Sequence, residues 1–290
     1  MGILCGLAAA FCWGCGDFLI THLTRRVGTA RSLLYIQALS LLSWLLLMFL
    51  VRASIPIGGA AFWGFALATG VCHVLGLTLV YRAFEVGTLS LVSPISSSFA
   101  IVTAILALIS GERPPLRALT GALLLCMGIM LATRSSRAPG VKTTLRGIPE
   151  ALGSALAFGT MFWLFYFFVQ PVSGYVWPLI LLKTMASGSS LLALHHARKR
   201  LTAAAEAVPT RSRPRTIWLL AGGAAAADTV AWLAYIWGTA SSFAVIVTAL
   251  ASLFSVVTVL LAWFFLRERL APSQWAGVGV ILLGILLVSV

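Results

Sequence analysis

Ten apolar stretches run through this chain, each long enough to cross a hydrocarbon core of ~30 Å as a helix. They cover 3–24, 32–51, 60–82, 88–109, 116–133, 147–169, 175–195, 216–237, 243–265 and 273–290. Backbone polar groups in lipid must be paired within the protein, so such stretches predict helices. The predicted architecture is an all-α membrane protein with ten transmembrane helices and no extramembrane domain. The longest connection, Ala197–Thr216, is rich in Arg, Lys and Ala and is expected to be a solvated loop.

Composition supports the pattern. The 290 residues are 60% hydrophobic and 9% charged, with a mean hydropathy of +1.03. A soluble domain cannot hide that much apolar surface. The net charge of +13 invites a nucleic-acid reading, but the placement of the charges excludes it. Of the 20 Lys and Arg residues, 16 lie in or beside the odd-numbered loops, and Arg52, Arg113 and Arg117 alone flank the even ones. Basic loops of this kind lie in the cytoplasm, so both termini are expected on the periplasmic side of a bacterial-type inner membrane. Residues 1–24 are expected to stay as the first span, because Arg25 and Arg26 follow the apolar run, whereas a cleaved signal carries its charges before it. The five cysteines, including Cys12 and Cys15, lie within spans without a His or Cys partner pair nearby, and small packing residues describe them.

The chain repeats. Residues 63–134 lie on 219–290 at an offset of 156, placing Glu112 on Glu268, Arg113 on Arg269, Gly121 on Gly277, Gly128 on Gly284 and Ser96 on Ser252. A weaker match at an offset of 145 places Trp13-Gly14 on Phe158-Gly159. Spans 1–5 therefore duplicate as spans 6–10. Five is odd, so the second unit enters the membrane upside down, and inverted repeats place a solute site near mid-depth between the units. The units are 1–134 and 147–290, joined by a basic linker at 135–146.

This plan resembles the drug/metabolite transporter superfamily, EamA type. The resemblance rests on Trp13-Gly14 in the first helix, the Gly111-Glu112-Arg113 and Arg267-Glu268-Arg269 turns and the Gly-rich fifth and tenth helices. It implies transport by alternating access. Pro94 matches the helix-four proline usual in that family, while Leu250 occupies its repeat mate. Members are commonly drawn with termini inside, opposite to the charge pattern here.

Candidate chemistry follows from the cost of charge in hydrocarbon, which confines ionisable groups to internal cavities. Lys183 lies roughly 12 Å in from the outer end of its helix, Asp228 roughly 18 Å in from the cytoplasmic end of its own, and His73 and Asp17 each roughly 20 Å from the outer face, all within the middle of the core. Trp13 precedes Asp17 by four residues; Trp232 and Tyr235 follow Asp228 by four and seven; Tyr81 follows His73 by eight. Each set lines one helix face. Trp163 is a further aromatic candidate. Two acids, one Lys and one His give a formal charge near −1 with the imidazole neutral. Aromatic walls with few polar groups suit a small organic solute and attract cations.

The expected function is secondary transport of a zwitterionic or cationic metabolite, an amino acid or related amine, by a functional monomer in the lipid bilayer. Lys183 would meet a carboxylate and an Asp an ammonium. Proton coupling would use Asp228, with Asp17 as second candidate, or the solute would exchange. The alternative is a multidrug or organic-cation exporter. A channel fits repeated mid-depth charges less well. No G-x-S-x-G, H-E-x-x-H or P-loop sequence supports an enzyme, and no cofactor or metal is expected.

Overall fold

The computed structural model describes residues 1–53, 56, 58–87, 89–132, 146–201 and 214–266, and toward the C-terminus 276–277, 279–280, 283–284 and 287. The helices are α1 (Gly2–Val27), α2 (Thr29–Val51), α3 (Ala60–Val86), α4 (Leu89–Ser97), α5 (Phe99–Ile109), α6 (Leu116–Ala132), α7 (Ile148–Leu164), α8 (Gln170–Ser173), α9 (Val176–Leu201), α10 (Pro214–Ser241), α11 (Ala244–Ala251) and α12 (Phe254–Leu266). A π-helical turn, Phe165–Val169, joins α7 to α8. Among the described residues, nine of the ten predicted spans are present, two as broken pairs (α4–α5 and α11–α12). Six helical segments among the described residues are long and apolar enough to cross a membrane. The tenth span is described only in helical fragments, and the Arg267-Glu268-Arg269 turn and nearly all of the linker 135–146 lie outside the described residues.

Local chemistry sets the turns. Gly28, with φ 81°, takes a conformation costly for other residues and lets α2 start at once. Glu85 at the end of α3 accepts from Thr29 N (3.3 Å) and Thr29 Oγ1 (2.5 Å), holding the α2 N-terminus.

The packing partners swap between the halves. Helix α1 packs on α10 as α7 packs on α3, α1 packs on α11 and α12 as α7 packs on α4 and α5, and α2 pairs with α9 as α5 pairs with α11. A Cβ on Gly2 would overlap Ser242 Cβ and meet the Gly238 carbonyl at 3.4 Å; one on Gly147 would meet the Ala83 carbonyl and Gly87 Cα, each at 3.1 Å. These contacts correspond at offsets of 145 for α1/α7 and 155 for α3/α10. The α1 N-terminus thus sits with the α10 C-terminus at one end of the bundle, and the α7 N-terminus with the α3 C-terminus. Because Glu85 joins the α3 C-terminus to Thr29, just past α1, the α7 start lies at the opposite end, and the two units run in opposite directions.

The register corrects two pairings expected from the sequence. Thr103 Oγ1 donates to the Phe99 carbonyl (3.2 Å) and across to Gly159 (3.1 Å); Thr258 Oγ1 donates to Phe254 (2.9 Å) and across to Gly14 (3.3 Å). Phe99 and Thr103 therefore match Phe254 and Thr258 at an offset of 155, so Ser252 is the mate of Ser97 rather than Ser96, and Ala249 rather than Leu250 is the mate of Pro94. The offset of 156 serves the Glu112 and Glu268 turns because one extra residue enters the second half between them and the broken helix.

Candidate functional site

Both broken spans break at the same repeat position. In the first unit, Ser98 N donates to Ile95 O (3.2 Å) and Ile101 N to Ser98 O (3.0 Å); in the second, Leu253 N donates to Leu250 O (3.1 Å) and Val256 N to Leu253 O (2.9 Å). These i→i−3 bonds tighten the chain for one turn. The Ser98 and Ser252 hydroxyls donate to Ile95 and Ala249 carbonyls at 2.6 and 2.7 Å, competing with the regular ladder. Discontinuous helices at mid-depth are where transporters of inverted-repeat design place their solutes.

A cavity of about 90 Å³ lies beside the breaks. Ser96, Phe99 and Phe254 line it from the broken spans, Trp13 and Asp17 from α1, His73 and Tyr81 from α3, Phe158 and Phe162 from α7, and Asp228 and Trp232 from α10. Six of the nine residues singled out in the sequence, Trp13, Asp17, His73, Tyr81, Asp228 and Trp232, thus share one space. It holds several waters or one small organic solute.

The acids differ sharply. Asp228 Oδ2 accepts from Lys183 Nζ at 2.6 Å and from Ser40 Oγ at 3.0 Å, tying α10 to α9 and α2. The Lys183 side chain is 0% exposed, that of Asp228 17%. Lys183 therefore stands behind Asp228, with Nζ 5.9 Å from the Trp232 ring centroid, and does not line the cavity. The Asp17 carboxylate lines the cavity and has no hydrogen-bond or ion-pair partner among the described residues. His73 is 2% exposed, and neither ring nitrogen has a partner. Tyr81 is buried, with Gln37 beside it.

Two other candidates lie off the cavity. Trp163 turns away and its indole N–H donates to Ser110 Oγ at 2.7 Å. Tyr235 lies past one end, its hydroxyl 2.8 Å from Thr248 Oγ1. Tyr235 completes a ring cluster with Trp13, Phe162 and Trp232, with centroids 4.8–5.9 Å apart. The cluster fills the bundle on the α1 N-terminal side, and from it the cavity walls continue the other way through Ile20, Leu77 and Val80. Glu112 reinforces the filled end. Its carboxylate accepts from Ala244 N (2.6 Å) and Val245 N (3.3 Å), capping α11 from the turn after α5. Burial raises the Glu112 carboxyl above its usual range, and the two N–H donors act the other way.

Sequence reasoning passed over Ser40, which completes the ion pair, and the four phenylalanines of the cavity wall. Phe158 sits in the quoted Phe158-Gly159 match, so its repeat relation to Trp13 was the available signal. Nothing in the local sequence marked Ser40, which is one of three serines on α2.

No curated protein matches the chain by sequence. A solved structure titled "Crystal structure of protein" shares the fold, with a TM-score of 0.67 and 15% identity over 99% of this chain and 95% of that one. The family described as EamA-like transporter family matches residues 1–134 and again 145–290. Two matches in tandem, opposed helix directions and broken helices around one cavity agree: the chain is an integral membrane protein of the EamA-like transporter family, within the drug/metabolite transporter superfamily.

Proposed function

We propose that the chain exchanges a small cationic or zwitterionic organic solute for protons across a bacterial-type inner membrane, with Asp17 as the shared binding group. The observation that carries this reading is the unpartnered Asp17 carboxylate in an aromatic cavity whose other acid is already neutralised by Lys183. When the cavity is closed to water during turnover, its carboxylate needs one compensating positive charge. A proton or a solute ammonium supplies it, and the two exclude each other. Exchange follows, because the bundle turns over only with one of them bound. Trp13 and Trp232 add ring faces that attract a cation.

The test is amine uptake into proteoliposomes against an opposing proton gradient, with internal pH followed in parallel. Wild-type protein is expected to couple amine entry to proton exit. Asp17→Asn is expected to lower coupled flux by about two orders of magnitude while keeping the fold, since it removes the one charge both ligands share. Coupled flux persisting in the variant would refute the reading.

The charge pattern orients the site. With odd loops cytoplasmic, the Trp13–Trp232 ring cluster and Glu112 close the outer end and the cavity faces the cytoplasm. Reporter fusions are expected to be active on the cytoplasmic side at Ser136 and on the periplasmic side at the C-terminus. The reverse pattern would turn the assignment over.

A further inference from the structure

Resting on that reading, we propose that the solute is an aromatic amine without a carboxylate, held by its ammonium on Asp17 and by a neutral hydrogen-bonding group at its far end on His73. The first argument concerns charge. Among the described residues, the cavity wall carries two carboxylates and no ammonium or guanidinium group. Lys183, behind Asp228, is fully enclosed and committed to that carboxylate at 2.6 Å. An amino acid would bring a carboxylate into a space with like charges and no free cation, and a desolvated ion without a counter-charge is heavily penalised. Loss of the carboxylate removes that penalty and keeps the ammonium that Asp17 requires.

The second argument concerns His73. Buried polar side chains are hydrogen-bonded with few exceptions, and each exception calls for an explanation. His73 is 2% exposed with both ring nitrogens unpartnered. Its ring neighbours, Phe158 at 6.4 Å and Trp232 at 6.3 Å between centroids, are aromatic faces that do not satisfy it. An imidazole with both nitrogens free offers one donor and one acceptor when neutral. A solute hydroxyl can serve either nitrogen, accepting from the N–H or donating to the bare nitrogen, although the two point apart across the ring and one hydroxyl reaches only one of them. The same cavity wall is largely aromatic: Phe99 stacks on Phe162 at 5.0 Å and meets Phe158 at 6.5 Å. A flat apolar body fits there. The two-fold does not duplicate this chemistry, for Phe162 stands in the second unit where Asp17 stands in the first, and Asp228 where His73 does. One orientation of an asymmetric solute is thereby favoured.

Equilibrium binding to the purified full-length protein in nanodiscs tests this, with tyramine, phenethylamine and tyrosine as probes. Tyramine is expected to bind at least about tenfold more tightly than tyrosine, which adds only the carboxylate. It is expected to bind about tenfold more tightly than phenethylamine, which lacks only the hydroxyl. His73→Phe should erase the second preference, bringing tyramine affinity down to that of phenethylamine, which makes no use of the imidazole. His73→Gln keeps a donor and an acceptor and should retain part of the preference, which separates recognition from a packing defect. Tyrosine binding as tightly as tyramine would overturn the proposal, as would an unchanged tyramine-to-phenethylamine ratio in both His73 variants. If both amines bind alike and Asp17→Asn abolishes both, the cation site stands and the His73 assignment falls. If neither amine binds, the cation site and the proposal fall together.

Discussion

Lys183→Met is expected to cost about 3–5 kcal/mol of stability, because it strands a buried carboxylate. The Lys183 ammonium lies 2.6 Å from Asp228 with its side chain wholly enclosed, and Ser40 is the only other donor on that carboxylate among the described residues. Asp228→Asn alone should be as damaging, since it leaves the ammonium without a counter-charge. The double change should recover most of the loss, to within about 1–2 kcal/mol of wild type, because removing a buried pair together leaves no orphan charge. The asparagine amide introduced there would keep an oxygen for Ser40. Thermal unfolding of the four proteins in one detergent gives the cycle. A double variant no more stable than Lys183→Met would show that the pair is not the stabilising unit. The cycle also bears on function: if the pair only fixes α9, α10 and α2 against one another, the double variant should still bind amines through Asp17.

The parts of this molecule that were legible in the sequence are those fixed by the solvent. Length and hydropathy set the spans, because lipid leaves the backbone no alternative to a helix. The cost of charge in hydrocarbon singled out Asp17, His73, Lys183 and Asp228 for the same reason. Which charge pairs with which was not legible, since it depends on how each helix is rotated. By depth alone Lys183 was free to read a solute carboxylate, yet α9 turns it onto Asp228. Rotation also removed Trp163: one residue past Phe162, it is swung ~100° around α7 and away from the cavity. Tyr235 keeps the stripe of Asp228 but sits ~10 Å further along the helix, beyond the cavity's end.

The broken helices were the largest omission. Neither Ser98 nor Leu253 is a glycine or proline, so the turn at each point left no breaker in the sequence. The repeat itself carried the missing signal. Aligned at 155, the Phe-x-x-Val-Thr segments Phe99–Thr103 and Phe254–Thr258 coincide, and the break precedes each by one residue. The offset of 156, drawn from the matched Glu-Arg turns, slid this agreement out of register.

The same segments fix the second large expectation, that Gly14→Val and Gly159→Val destabilise by similar amounts. A Cβ on Gly14 would fall 2.5 Å from Val257 Cβ and 2.7 Å from the Phe254 carbonyl; one on Gly159 would overlap Val102 Cβ and fall 2.9 Å from the Phe99 carbonyl. Backbone atoms among these neighbours cannot swing aside, so the helices must separate. Separation breaks the hydroxyl bonds that Thr258 and Thr103 make to the carbonyls of these two glycines. Overpacking and the lost bond together put each substitution at about 3 kcal/mol or more. Small residues at crossing points are what let membrane helices approach this closely. Gly64, around which a Cβ would meet nothing within 4 Å, is the control, and Gly64→Ala should leave the unfolding temperature nearly unchanged. The two valine variants should also lose solute binding, because α1 and α7 carry Asp17 and Phe162 only a few residues beyond the crossing points. Melting curves and tyramine binding on the three variants decide the matter. Equal, large losses at Gly14 and Gly159 would show that the two units meet through one repeated contact, whereas a loss at only one of them would mean that the two-fold relation does not extend to the packing that holds the site together.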